Sequence, residues 1–120
     1  MNPFILNGDV WMPVLVDPGD PRLTDRTGST RIATTDPDTM CVYLSRDLNG
    51  SYLETVLLHE IGHCAMISYG ILEDLRRMVP EESWISVEEW TCNLIANYGL
   101  HIFHAASTAL GRAIGTIGGA

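Results

Sequence analysis

Between Ser51 and Gly70 the chain contains no proline, and its apolar residues fall on two adjacent helical faces. Leu53, Leu57, Ile61 and Cys64 make one stripe, and Tyr52, Val56, His59, His63 and Met66 make its neighbour. A helix apolar on two faces must be covered on two sides. The pattern therefore predicts a central helix from about Tyr52 to Tyr69, with the remaining elements packed around it. Ser51-Tyr52-Leu53-Glu54 has the form of a capping box at its start, and Gly70 supplies the stop at its end.

The second stripe carries His59-Glu60-Ile61-Gly62-His63. Residues four apart share a helix face, so His59 and His63 can offer both imidazoles to one metal ion. Glu60 points about 100° away from His59. That direction suits a carboxylate that handles a water proton without becoming a ligand. Cys64 also points about 100° away from His63, and is discounted as a ligand.

Composition narrows the class. Seven basic and 15 acidic residues leave a net charge of −8 over 120 residues. No basic run is available to neutralise phosphates, which argues against a DNA- or RNA-binding module. The length suits one domain spanning 1–120, with 46% hydrophobic residues to form a core. Cys41, Cys64 and Cys92 form no CxxC pair, and each sits in an apolar context; they read as buried free thiols in a reducing compartment. The N-terminus lacks the charged start and apolar core of a signal peptide. The most apolar region, Leu94 to Leu110, is interrupted by Asn97, His101 and His104 and is short for a membrane span, so it reads as a buried helix.

Taken in order, Val10 to Val16 reads as a strand that Pro13 either pushes to an edge or makes begin only after Pro13. Asp17-Pro18-Gly19-Asp20-Pro21 opens a polar loop reaching Ser29. Thr30 to Thr35 and Met40 to Ser45 read as two strands joined by a turn at Asp36-Pro37-Asp38. Beyond the central helix, Ile71 to Met78 is a short helix. A further helix, with acidic residues in its first turn, begins near Pro80 or Ser86 and runs to about Phe103. Ala105 to Ala120 is a small, Gly-rich tail whose first half extends that helix.

Two histidines need a third ligand. Glu89, 26 residues beyond His63, leads the candidates, because Asn93 lies one turn further on the same face. Asn93 can accept the free N–H of His59 or His63 and so orient the ring. Glu88 is the rival ligand, with Cys92 in place of a polar partner at i+4. His101 and His104 are further rivals, two turns or more along the helix.

These segments together resemble the ImmA/IrrE-type metallopeptidases. The resemblance rests on His59-Glu60-Ile61-Gly62-His63 and on Glu89-Trp90-Thr91-Cys92-Asn93-Leu94-Ile95-Ala96. The block from Val42 to Gly99 is similar to small members encoded by phages and prophages, and the likeness covers about residues 31–103. Cys92 departs from the family's usual Ala, and Asn93 stands where many members carry Asp.

The resemblance implies an α+β, minimal zincin-like fold: a small antiparallel sheet on an active-site helix, with the third ligand on a second helix. It implies Zn2+, held by His59, His63 and Glu89, although the same ligands also accept manganese, iron or cobalt. It further implies hydrolysis of a peptide or protein substrate by a metal-activated water, with Glu60 as general base. Val42, Tyr43 and Leu44 would form an edge that pairs with the substrate. Tyr98 or His101 would donate to the oxyanion. The setting would be the cytoplasm of a bacterial host, with virion association and a phage protein partner as further options; no membrane is involved. The competing expectation is a catalytically silent phage-associated structural or interaction protein that uses the zinc fold as a scaffold.

Overall fold

The computed structural model describes residues 1–25 and 27–114. Four strands precede three helices: β1 (Phe4–Leu6), β2 (Asp9–Val16), β3 (Ala33–Asp36), β4 (Cys41–Ser45), α1 (Gly50–Ser68), α2 (Ile71–Met78) and α3 (Trp84–Leu110). The sheet order is β1-β2-β4-β3. β1 and β3 pair antiparallel with their neighbours, whereas β2 and β4 run parallel. The sheet is therefore mixed, a correction to the antiparallel sheet expected. The physical reason is the loop after β2: it carries the chain past the sheet, so that the β3–β4 hairpin returns with β4 alongside β2.

A second correction follows from the same order. Val42, Tyr43 and Leu44 were expected to form an exposed pairing edge. Instead β4 lies inside the sheet, with Val42 paired to both Pro13 and Thr35 and Leu44 to both Leu15 and Ala33. Its ladder groups on both sides are already used. The free edge on this side of the sheet belongs to β3.

The proline in β2 sits where the ladder tolerates it. β1 covers only Asp9 to Trp11, and beyond that β2 has β4 on one side alone. The Met12 amide donates to the Met40 carbonyl at 3.0 Å, so the next residue, Pro13, turns its missing N–H to the open side. β1 itself was not foreseen. It folds back on β2 through Asn7-Gly8, whose φ values of 49° and 83° are those of a two-residue hairpin turn.

One face of the sheet buries Trp11, Ala33, Val42 and Leu44 against Cys64, Leu53, Val56, Leu57 and Ile67 of α1. The other face is covered by the Pro21–Leu23 turn, with Leu23 against Val16 and Tyr43. Trp11 also donates its indole N–H to Ser68 Oγ at 2.8 Å, and Asn7 donates to the Ser68 carbonyl. The hairpin thus grips the C-terminal end of α1.

Several boundaries differ from expectation. α1 begins earlier, with Asn49 at the N-cap and the Leu53 amide bonded to the Asn49 carbonyl at 3.1 Å. Ser51 then lies inside the first turn and the expected capping box does not form. Gly70, at φ 70°, ends the helix as expected. The strand expected at Thr30 starts at Ala33, because Thr30 makes only an isolated bridge to Thr24. Met40 falls in the turn, at φ 56°. α2 has the bounds expected. α3 starts at Trp84, after a 3-10 turn at Glu81–Ser83, and runs on to Leu110. The tail's first half therefore extends the helix, and residues 115–120 lie outside the described residues.

α3 is only partly covered. Cys92 is buried with Met66 and Leu75 among the three helices, whereas Tyr98, Leu100, Ile102, Phe103 and Leu110 are exposed. The buried helix expected over Leu94 to Leu110 is thus covered on one side at most. Among the described residues no single helix is long and apolar enough to cross a membrane.

Candidate metal centre

Gly62 sets the geometry between α1 and α3. A Cβ on it would lie 3.2 Å from Cys92 Sγ and 3.3 Å from Cys92 Cα. The two helices approach so closely there that a side chain at Gly62 would require Cys92 to give way by a few tenths of an ångström. His59 and His63 flank Gly62 on one helix, while Glu88, Glu89 and Asn93 flank Cys92 on the other.

At this crossing His59 Nε2 and His63 Nε2 stand 3.2 Å apart. Glu89 Oε2 lies 3.1 Å from the first, and Glu89 Oε1 lies 3.1 Å from the second. The outer ring nitrogens are each engaged elsewhere: His59 Nδ1 meets Asn93 Oδ1 at 2.9 Å, and His63 Nδ1 meets Glu88 Oε2 at 2.6 Å. An amide oxygen and a carboxylate oxygen only accept, so both imidazoles donate from Nδ1. In the neutral tautomers that leaves two Nε2 lone pairs converging on a carboxylate, and three acceptors so close together call for a cation.

A metal ion fits that requirement. Zinc ligand distances of about 2.0–2.1 Å in a tetrahedron place donor atoms roughly 3.3 Å apart, close to the spacing observed. His59, His63 and Glu89 therefore form a group that can hold a metal ion, with three protein donors leaving a fourth position open. Glu89 is half exposed, so water reaches the site.

Charge is distributed accordingly. Hydrogen bonding to Glu89 raises the His59 pKa against the opposing effect of burial. Burial works against charge on His63, but the Cys92 thiol and the Glu88 and Glu89 carboxylates outweigh it and lift its pKa to about 12. The two histidines in turn hold the Glu89 carboxyl well below the usual carboxylate range. Without metal, the cluster keeps protons in the place of a cation.

Glu60 is 7% exposed and sits between α1 and β3. Its Oε2 accepts the Thr35 hydroxyl at 2.7 Å, leaving the second oxygen uncommitted by that contact. Its charge also helps to raise the His59 pKa. Thr35 is a residue that sequence reasoning missed, since one threonine in an alternating strand carries no sign of its partner. Beyond β3, the Arg31 guanidinium is tied to Asp25 at 2.6 Å and senses the charges of Glu89 and Glu60.

The other expectations divide. Asn93 meets one of the two histidines as foreseen, and the histidine is His59. Glu88, weighed as a rival ligand, holds the outer nitrogen of His63 instead, because the consecutive carboxylates Glu88 and Glu89 meet opposite sides of the same imidazole. Tyr98 and His101 are not brought to the cluster. They lie nine and 12 residues beyond Glu89, roughly 13 Å and 18 Å along the helix axis. Tyr98 faces an outer groove with Trp90 and Leu94, and His101 lines a groove between the two helices. His104 is exposed. Cys64 and Cys92 are buried free thiols as expected, but Cys41 is only part-buried. Burial, with the Glu60 charge added, raises the Cys64 thiol to about 12.

No family model matches this sequence, and no curated protein matches it.

Proposed function

We propose that this chain is a zinc-dependent metallopeptidase of the ImmA/IrrE type, hydrolysing peptide bonds of a protein substrate. The observation that carries this reading is the convergence of His59 Nε2 and His63 Nε2, 3.2 Å apart, on Glu89, whose Oε2 lies 3.1 Å from the first and Oε1 3.1 Å from the second, with a buried carboxylate next to His59 in sequence. Two imidazoles and one carboxylate favour zinc over the harder cations, and a purely structural site has no need of Glu60.

A divalent metal bound there would supply Lewis-acid polarisation of the scissile carbonyl and acidify water. The chain's own groups do the rest. Asn93 and Glu88 hold the two rings at Nδ1, which fixes the tautomer and presents Nε2 as the donor. Thr35 holds one oxygen of Glu60, so the other takes the proton of the attacking water and returns it to the leaving amine. The substrate backbone pairs with the free edge of β3, which carries Thr35, in place of the occupied β4.

An interaction role has one observation in its favour: the exposed apolar end of α3, with Leu100, Ile102, Phe103 and Leu110. The presence of Glu60 ranks it second. Zinc-loaded wild type and Glu60→Gln, incubated with a denatured protein and examined by mass spectrometry, separate the two readings. Cleavage by wild type alone, at equal zinc content, supports the peptidase; equal cleavage, or none, removes it.

A further inference from the structure

The face of α3 that packs on α1 does not end where α1 ends. Cys92, Ala96, Gly99, Phe103, Ala106 and Leu110 follow one another at alternating intervals of four and three residues, which keeps them on one stripe of the helix. Cys92 is fully buried at the head of this stripe, and Ala96 and Gly99 are part-buried. The first turn of α1, with Ser51 and Glu54, meets α3 at Leu100 and His101, in a groove that the two helices share. From Ile102 to Leu110 the helix runs on past α1 for nine residues, roughly 13 Å. Along this overhang the stripe stays apolar. Phe103 is 59% and Leu110 55% exposed, with Leu100 and Ile102 on its flanks at 63% and 61%. A contiguous apolar strip in line with the core marks an interaction surface.

Three properties of the overhang fit a second copy of the same chain. The first is charge. Between Trp90 and Gly111 there is no Asp, Glu, Lys or Arg, although the chain carries a net charge of −8. Two copies can meet here without placing like charges in contact.

The second property is self-complementarity. In a two-fold pairing of antiparallel helices, Ala106 lies beside the axis and Phe103 of each copy meets Leu110 of the other. The small Ala106 lets the helices approach at the centre, and the larger pair fills the space on either side. The same register sets Arg112 of one copy opposite His101 of the other, where Glu54 lines the groove with that histidine. Both Arg112 and Glu54 are exposed, and among the described residues neither makes an ion pair within its own copy. Each copy thus offers the other a cation for its carboxylate.

The third property is area. The four exposed side chains offer on the order of 500 Å² per copy, so pairing covers about 1,000 Å² in all, the size at which a specific but weak interface begins.

We propose that the overhanging end of α3 is a dimer interface, in which two copies of this chain pair antiparallel through Phe103, Ala106 and Leu110. Neither the metal nor Glu60 enters this pairing, so it stands whether or not the chain cleaves peptides.

Sedimentation velocity across a wide range of concentration reads the association, and wild type should pass from monomer to dimer as concentration rises. Phe103→Asp and Leu110→Asp should each weaken the dimer by about 30-fold or more, because each substitution acts on both copies. Both side chains are more than half exposed, so both variants should keep the wild-type circular dichroism. Arg112→Glu should weaken the dimer by about threefold to tenfold, and Glu54→Arg added to Arg112→Glu should restore it. In a Cys41→Ser background, Ala106→Cys should form a disulfide between copies on mild oxidation. Ala105→Cys, turned away from the stripe, should not.

A wild type that is monomeric at every concentration overturns the pairing. So does a dimer that survives both aspartate substitutions, since it then uses another face. Crosslinking at Ala105→Cys in preference to Ala106→Cys overturns the stripe, and a double charge reversal that fails to restore association overturns the antiparallel register. A monomer that partitions onto neutral phospholipid vesicles through Phe103 gives the face to a membrane surface instead.

Discussion

Glu88 accepts the Nδ1 proton of His63 at 2.6 Å, while the adjacent Glu89 spans the Nε2 atoms of both histidines. Consecutive carboxylates on one helix thus serve opposite sides of the same ring. Glu88 sets the tautomer, and Glu89 completes the donor set. The two substitutions should therefore differ in kind. Glu89→Ala should abolish stoichiometric zinc binding, whereas Glu88→Ala and Asn93→Ala should weaken it by about 10–100-fold. Competition against a chromophoric chelator gives all three affinities. Greater loss in Glu88→Ala than in Glu89→Ala would exchange their roles.

Gly62 admits no side chain without movement, because Cys92 Sγ and Cα lie 3.2 and 3.3 Å from where its Cβ would stand. Gly62→Ala should push α3 away from α1 and lower stability by about 1–3 kcal/mol. Because Glu89 is less than one turn from Cys92, zinc affinity should fall as well. Thermal melts with and without zinc check both effects. A melt unchanged from wild type would show that the crossing is not tight.

Protons and metal compete for one place. Neighbouring carboxylates raise the pKa of His59 and of His63 in the metal-free chain. A raised folded value means that the protonated rings stabilise the metal-free fold below their unfolded pKa of about 6.5. That contribution disappears as pH rises through the folded values. Metal loading must expel those protons, so apparent zinc affinity should rise with pH from about 6 to 8. Calorimetry in buffers of different ionisation enthalpy should register proton release on binding. No proton release would contradict the protonated cluster.

Thr35 is the contact through which β3 holds Glu60. Thr35→Val keeps the shape and removes the hydroxyl, leaving a buried carboxylate one partner short, at a cost of about 1–3 kcal/mol. Zinc content should be unchanged while the rate of peptide cleavage falls by about tenfold or more. A loss of zinc in this variant would mean that Thr35 supports the ligands and not Glu60.

Much of the helical framework could be read from periodicity and glycine placement, because Gly70 and the two-faced pattern of α1 act locally. The histidine pair and the Glu89–Asn93 pair were legible for the same reason, since i,i+4 spacing fixes a shared face whatever surrounds it. The sheet was less legible. Asn7-Gly8 is a strong hairpin signal, but the strand before it has only three residues, too few to show alternation. β4 reads as a strand from its own residues, yet whether it lies at an edge depends on where β2 docks, which is a long-range contact. The role of Glu88 was hidden likewise: both glutamates present the same chemistry in sequence, and only the crossing at Gly62 decides which one faces which nitrogen. Tyr98 and His101 share the helix with Glu89, but helical rise carries them too far from the cluster.

The zinc that remains with the purified protein after dialysis tests the central claim most directly, with wild type, Glu60→Gln and Glu89→Ala compared side by side. One zinc per chain in wild type and in Glu60→Gln, with little in Glu89→Ala, is the result expected. A wild-type protein that takes up no zinc when it is offered, or a Glu89→Ala variant that holds it as tightly as wild type, would contradict the assigned metal centre.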